Sequence, residues 1–183
     1  GVTIQSYHSD NGVFRSAGFL KNLSDNNQKI TFSGVGAKWQ NGAGEAAIRL
    51  VVSKCRTMMI HSALHWPDAH EDQLWPMCMN YATFLYNHTP NPESGLSPIE
   101  LFCRTKSDHS PLRNSHVWGC PVYVLDPKLQ DGHKLPKWRP RSRRAQFMGL
   151  SDDHAETVAV VRNLNTGYLS CQYHVVFDDW FQT

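Results

Sequence analysis

The feature that most constrains this chain is a long helical repeat from Ala43 to about Leu64. Its apolar residues Ile48, Val52, Cys55, Met59 and Ala63 recur at the three- and four-residue intervals that line one face of an α-helix. Pro67 closes the pattern, because proline lacks the N–H needed to continue the backbone ladder. Around this helix the chain offers both strand and helix signals, so the expected class is α/β. Val2 to Tyr7 alternates toward β character and runs into the turn Ser9-Asp10-Asn11-Gly12. Ser16 to Leu23 reads as a short helix with Phe19, Leu20 and Leu23 on one face, and Lys29 to Ser33 as a second strand. Gly34, Gly36, Gly42 and Gly44 mark a mobile loop leading into the long helix.

A second long helix is expected over Gln73–Tyr86, burying Leu74, Cys78, Tyr81 and Leu85, with Pro76 tolerated in its first turn. A Pro-, Asn- and Ser-rich linker follows, Asn87 to Pro98, and then one helical turn over Ile99–Cys103. The character changes after about Asn114. Val117–Leu125, Ala145–Leu150, Thr157–Arg162 and Tyr168–Phe177 are strand-like, and Asn165-Thr166-Gly167 is a hairpin turn. These short strands predict a small β-barrel. The expected division is residues 1–105 and residues 106–183.

Composition narrows the class. At 183 residues, with 40% hydrophobic and 19% charged, the chain resembles an ordinary soluble globular protein with a real core. No stretch approaches the roughly 20 apolar residues that span a bilayer, so no membrane partner is expected. Without an initiator Met or a leader, the chain reads as an internal piece of a longer protein. Cys55, Cys78, Cys103, Cys120 and Cys171 are odd in number and show no C-x-x-C pairing, which fits a reducing, intracellular compartment. Cys55 and Cys78 fall on apolar stripes and read as core, as do Trp66, Trp75 and Tyr81. His61 and His65 lie one helical turn apart, but no second pair completes a zinc set, so packing is the simpler reading.

Net charge is only +2, yet Lys128 to Arg144 holds seven basic residues and one acidic, leaving the remainder net acidic. Within that stretch Lys134, Lys137, Arg139, Arg141, Arg143 and Arg144 are interrupted by Pro136, Trp138 and Pro140. Prolines keep such a segment extended, so its cations could follow a phosphate backbone while Trp138 stacks on bases. A solvated, flexible loop is the competing reading. Phosphate contacts confer affinity without sequence choice, and no helix here looks suited to reading bases.

Two carboxylates carry the chemical suggestion. Asp10 ends the first strand, and Glu45, after 34 intervening residues, opens the long helix. Converging from a strand end and a helix, they could hold Mg²⁺ or Mn²⁺, which take hard oxygen ligands, against a phosphodiester. On a helical wheel Glu45 aligns with Arg49, Val52 and Arg56, so one face would offer a carboxylate and two cations to DNA. Gln40 and Asn41 stand next to it in sequence. The competing reading is a common Asp-Asn-Gly turn and an i, i+4 ion pair between Glu45 and Arg49.

The residues flanking that pair resemble a known family. His8-Ser9-Asp10-Asn11-Gly12, followed by Gln40-Asn41-Gly42 with Glu45 three residues on, is similar to the integrase of copia-type LTR retrotransposons. Arg56-Thr57-Met58-Met59, Leu74-Trp75, Asn87-His88-Thr89-Pro90 and Ser97-Pro98-Ile99-Glu100-Leu101 continue the resemblance. So do Trp118-Gly119-Cys120-Pro121-Val122-Tyr123-Val124, Phe147-Met148-Gly149 and His174-Val175-Val176-Phe177-Asp178.

The resemblance implies a partial RNase H-like integrase core followed by an SH3-like β-barrel. It also implies a metal site of two aspartates and a glutamate, in which Asp10 matches the second aspartate and Glu45 the glutamate. The first aspartate belongs to an earlier strand that nothing before Asp10 supplies, and Asp25 lies on the wrong side of the motif. Trp39 and Gly44 stand where the family usually carries other residues. The intact enzyme would join element DNA to target DNA by attack of a 3′-hydroxyl on a phosphodiester, with Mg²⁺ or Mn²⁺ as cofactor. Gln40, Asn41, Arg49 and Arg56 would position DNA, and the basic segment would add backbone affinity. Homo-oligomerisation of the intact enzyme and a nuclear site of action follow from the same resemblance. The alternatives are a non-catalytic DNA-binding or assembly remnant of such an integrase, and an unrelated protein-interaction module.

Overall fold

The computed structural model describes residues 2–182. They form a mixed helix and strand fold, 40% helical and 19% strand, in two compact units. One unit comprises residues 1–50 with 102–104; the other comprises residues 51–101 with 105–183.

The first unit contains a β–α–β element. Strand β1 (Ser6–Ser9) pairs in parallel with β2 (Lys29–Phe32), Ser6 opposite Lys29 and Ser9 opposite Phe32. Helix α1 (Ala17–Asp25) connects them. β1 begins later than the alternation from Val2 predicts, because β2 offers only four residues to pair with. Of the three apolar residues assigned to one face of α1, Leu23 is buried at 4% exposure while Leu20 is exposed. Helix α2 (Gly42–His65) starts in this unit after a 3₁₀ turn over Lys38–Asn41, matching the repeat that begins at Ala43 to within a residue.

The second unit is built on a five-stranded antiparallel sheet. Its strands are β3 (Pro121–Leu125), β4 (Ser142–Leu150), β5 (Ala159–Asn163), β6 (Leu169–Gln172) and β7 (Val175–Phe177), ordered β6-β5-β4-β3-β7. The strand-like stretch Tyr168–Phe177 forms two strands, interrupted at Tyr173 and His174. That interruption dictates the shape of the sheet. In a flat sheet the edges β6 and β7 would lie about 19 Å apart, at roughly 4.8 Å per strand. The chain crosses from Gln172 to Val175 in three Cα steps, a reach of about 11 Å, so the sheet must curl toward closure. A bulge in β4 between Phe147 and Gly149 assists, since the extra residue bends the strand. Gly149 takes φ +134° there, a conformation a side chain would oppose.

Helix α3 (Trp75–His88), the later turns of α2 and the sheet share one core. Cys78, Val122, Phe147 and Val161 are fully enclosed, and the Tyr81 ring meets Phe147 edge-on at 5.4 Å. The Tyr81 hydroxyl donates to the His116 carbonyl at 2.8 Å and accepts from its amide at 3.0 Å. Burial raises its pKa to about 12. The apolar stripe of α2 turns only partly inward. Cys55 and Ser62 are buried, but Ile48 is 65% and Val52 45% exposed. Close approach explains the choice of small residues: a Cβ on Gly119 would lie 2.4 Å from Ser62 Oγ. Trp66 is buried as expected, whereas Trp75, at the first turn of α3, is 56% exposed.

Three short helices complete the fold: α4 (Pro98–Cys103), α5 (Ser110–Arg113) and α6 (Pro127–Gln130). α4 opens with a capping box, a device the Ser97-Pro98-Ile99-Glu100 spelling already contains. Glu100 Oε2 accepts from the Ser97 amide at 2.8 Å and hydroxyl at 2.9 Å, and Oε1 accepts from the Ser107 amide at 2.7 Å. These donors, the Ser97 amide foremost, hold the Glu100 pKa down at about 2. A second polar device spans the sheet. The buried Arg162 guanidinium donates to the Ala69 carbonyl at 3.1 Å, to Gln146 Oε1 at 3.0 Å and to Glu71. Among the described residues no helix is long and apolar enough to cross a membrane.

Candidate functional site

Asp10 lies immediately beyond the carboxyl end of β1, the end of a parallel strand where α/β folds present ligand groups. Its Oδ1 accepts from the Gly12 amide at 3.3 Å, the Asx turn expected of Asp-Asn-Gly. Asn11 Nδ2 donates to the Ser33 carbonyl at 2.7 Å and so ties the ends of β1 and β2 together. Sequence reasoning did not single out this contact, because its partners are 22 residues apart. Behind it, the His8 ring hydrogen-bonds to Thr31 Oγ1 at 2.9 Å and to Ser33 Oγ at 3.3 Å.

Glu45 occupies the first turn of α2, where the helix dipole favours a negative charge. It is exposed and forms no ion pair with Arg49 among the described residues, so that simpler reading is not realised. Gln40 braces the preceding loop, its Oε1 accepting from the Gly34 amide at 2.8 Å. Asn41 is half-buried beside it, and Arg49 and Arg56 are exposed on α2.

As ligands for Mg²⁺ or Mn²⁺, Asp10 and Glu45 have the right chemistry: exposed carboxylate oxygens that form no ion pair among the described residues. Among the described residues, however, no three His, Cys, Asp or Glu side chains gather as metal ligands. The His61 and His65 rings lie 4.3 Å apart, tilted by 34°, and both pack against Phe181 at about 5.5 Å. Burial, and then the neighbouring His65, lowers the His61 pKa, as suits a packed imidazole. Among the described residues none of the five cysteines forms a disulfide. Burial pushes the Cys78 and Cys120 thiols up, which keeps them protonated and unreactive.

The basic segment forms the long connection between β3 and β4. Asp126 caps α6 by accepting from the Lys128 amide, and its own amide bonds the Arg141 carbonyl at 2.8 Å, pinching the base of the connection. Between these points Lys134, Lys137, Arg139 and Arg141 are all exposed, and Trp138 is 89% exposed. The Lys137 ammonium lies over the Trp138 ring at 5.1 Å. None of the four takes part in the ion pairs of the described residues, which are His70–Asp72, His116–Asp179 and Arg162–Glu71.

Arg143 and Arg144 differ from these four because they lie on β4 itself. Arg144 stacks over the Trp66 ring at 5.0 Å, while Arg143 is half-buried with an Nη1 that has no hydrogen-bond partner among the described residues. The connection thus offers four exposed cations and one exposed indole, and the strand it leads into carries Arg143 and Arg144 on alternate faces. Such a surface suits a phosphate backbone with unstacked bases. The chain matches no known family model and no curated protein.

Proposed function

We propose that this chain is part of a copia-type retrotransposon integrase, and that in isolation its working surface is a DNA-backbone contact made by the β3–β4 connection. The observation that carries the reading is the set of four exposed cations on the connection that also exposes Trp138, all without acidic partners among the described residues. The ordered sequence matches supply the family. A parallel β–α–β element with Asp10 just past β1 and Glu45 opening α2 is compatible with an RNase H-like core. A curled five-stranded antiparallel sheet is compatible with an SH3-like module. Lys134, Lys137, Arg139 and Arg141 would neutralise phosphates, and Arg143 and Arg144 would reinforce the field behind them.

In the whole enzyme Asp10 and Glu45 would be two of three carboxylates for Mg²⁺ or Mn²⁺, the third coming from outside the described residues. The bound ions supply charge stabilisation to the attacking and leaving oxygens of strand transfer. Gln40, Asn41, Arg49 and Arg56 would bind and orient DNA beside the carboxylates. Such an enzyme works as an oligomer on nuclear DNA.

The second reading is a DNA-binding remnant without catalysis, which needs only the basic connection and not the carboxylate pair. A metal-dependent joining assay separates the two. The chain alone should bind DNA and join none; in a longer protein that supplies the third carboxylate, Asp10→Asn or Glu45→Gln should abolish joining while binding persists. Normal joining by either variant overturns the assignment of the pair.

A further inference from the structure

The basic connection has a chemical counterpart elsewhere on the same unit. A groove of about 300 Å³ opens between α3 and the far end of β4. Met77, Tyr81 and Phe84 of α3 and Met148 and Leu150 of β4 form its walls, with the Tyr81 and Phe84 rings stacked at 5.9 Å. Asp152 and Asp153, both exposed, complete its lining. They belong to a stretch, residues 151–156, that carries three carboxylates and no lysine or arginine. The groove therefore asks for an occupant with a flat apolar body and flanking positive charge.

The β3–β4 connection has that chemistry. Trp138 is 89% exposed and sits between Lys137 and Arg139. Tryptophan and arginine are the residues that most often anchor protein interfaces, by filling pockets. The loop cannot reach the groove of its own molecule. β4 runs from Ser142 to Met148 for about 20 Å at 3.3 Å per residue before the groove begins. The four residues from Trp138 to Ser142 span at most about 14 Å, and the Asp126–Arg141 backbone bond holds the base of the loop at the near end.

We propose that Trp138, Lys137 and Arg139 of one copy dock in the Asp152/Asp153 groove of a second copy, head to tail. Each molecule carries one donor loop and one acceptor groove, so a single contact leaves one of each open, and association closes as a reciprocal two-fold dimer or a ring, or continues as an open chain. It stands apart from the DNA reading, though both use the same loop, so DNA and self-association should compete.

Sedimentation velocity on the full chain, across a concentration series at low and high salt, tests the proposal. The wild-type mass should rise with concentration at low salt and fall back toward monomer at high salt. Trp138→Ala, which removes the donor, and Asp152→Lys/Asp153→Lys, which reverses the acceptor, should each weaken association at least tenfold, the scale of an interface anchor. Mixed together, these two variants retain one intact acceptor and one intact donor, on molecules that do not fit each other as donor-to-acceptor pairs in the opposite sense. An acceptor-reversed molecule still has its loop, and a donor-deleted molecule still has its groove, so the mixture should form a one-to-one dimer that stops there. Circular dichroism of each variant confirms the fold. A wild type that remains monomeric at every concentration, a Trp138→Ala chain that associates like wild type, or variants that fail to pair on mixing would overturn the proposal.

Discussion

Arg162→Met should be among the most damaging substitutions that leave the hydrophobic core intact. Arg162 lies on β5 with only 6% of its surface exposed, and its guanidinium joins the Ala69 carbonyl, Gln146 Oε1 and Glu71. Methionine fills much of the same space but donates nothing. Two acceptors, the Ala69 carbonyl and Gln146 Oε1, would then lose a hydrogen bond, and Gln146 is fully buried. Each orphaned group costs about 1–3 kcal/mol. Glu71 is 54% exposed and rehydrates, so its lost ion pair adds about 0–1 kcal/mol.

The expected cost is therefore about 2–7 kcal/mol, spanning the roughly 3–5 kcal/mol for breaking a buried charge pair. Urea denaturation followed by circular dichroism measures it as a lowered midpoint at unchanged m. Adding Gln146→Leu removes one of the stranded acceptors, so the double variant should be less destabilised than the sum of the two singles by at least about 1 kcal/mol. A loss below about 1 kcal/mol for Arg162→Met, or strict additivity in the double variant, would refute the reasoning.

Three other outcomes rest on the same structure. Glu100 titrates near 2 in the folded chain and near its ordinary 4.5 in the unfolded one, so the unfolded state takes up the proton first as pH falls. Its contribution is complete above about pH 4.5 and is lost between there and pH 2; Glu100→Gln should be less stable than wild type at pH 6, and the gap should close by pH 2 in acid-denaturation curves. Gly119→Ala should cost at least about 2 kcal/mol in thermal melts, since φ is +79° and the new Cβ would meet Ser62 Oγ at 2.4 Å. Asp10→Asn with Glu45→Gln should leave both the melting temperature of the chain, within about 0.5 kcal/mol, and its DNA affinity unchanged, because both carboxylates are exposed.

Local chemistry made much of this fold legible. Pro67 and the helical period locate α2 to within one or two residues, and Asn165-Thr166-Gly167 correctly marks the β5–β6 turn. Hydropathy could not say which side of α2 the sheet would cover. The covered side carries Cys55 and Ser62, small enough for the Gly119 backbone to approach, and leaves Ile48 and Val52 outside. The break at Tyr173–His174 was equally hidden, because Tyr168 to Phe177 is rich in β-forming residues and only pairing with β5 and β3 separates the two strands. Contacts such as Arg162–Glu71, 91 residues apart, have no short-range signature at all. Of the candidate site, the exposed cations and Trp138 were readable from prolines and charge spacing. The anchoring of Arg144 on Trp66 was not, since it depends on a turn that follows α2 meeting the start of β4.

DNA binding by the β3–β4 connection is the claim on which the functional account rests, and its salt dependence tests it most directly. Four phosphate contacts, from Lys134, Lys137, Arg139 and Arg141, predict that log affinity for a labelled duplex falls with log salt at a slope near −3.6, about a 150-fold weakening between 50 and 200 mM. Replacing all four by alanine should flatten the slope toward zero and abolish measurable binding at 200 mM salt, with the circular dichroism spectrum unchanged. Binding that is absent at 50 mM salt, or a slope that survives the four substitutions, would contradict the account.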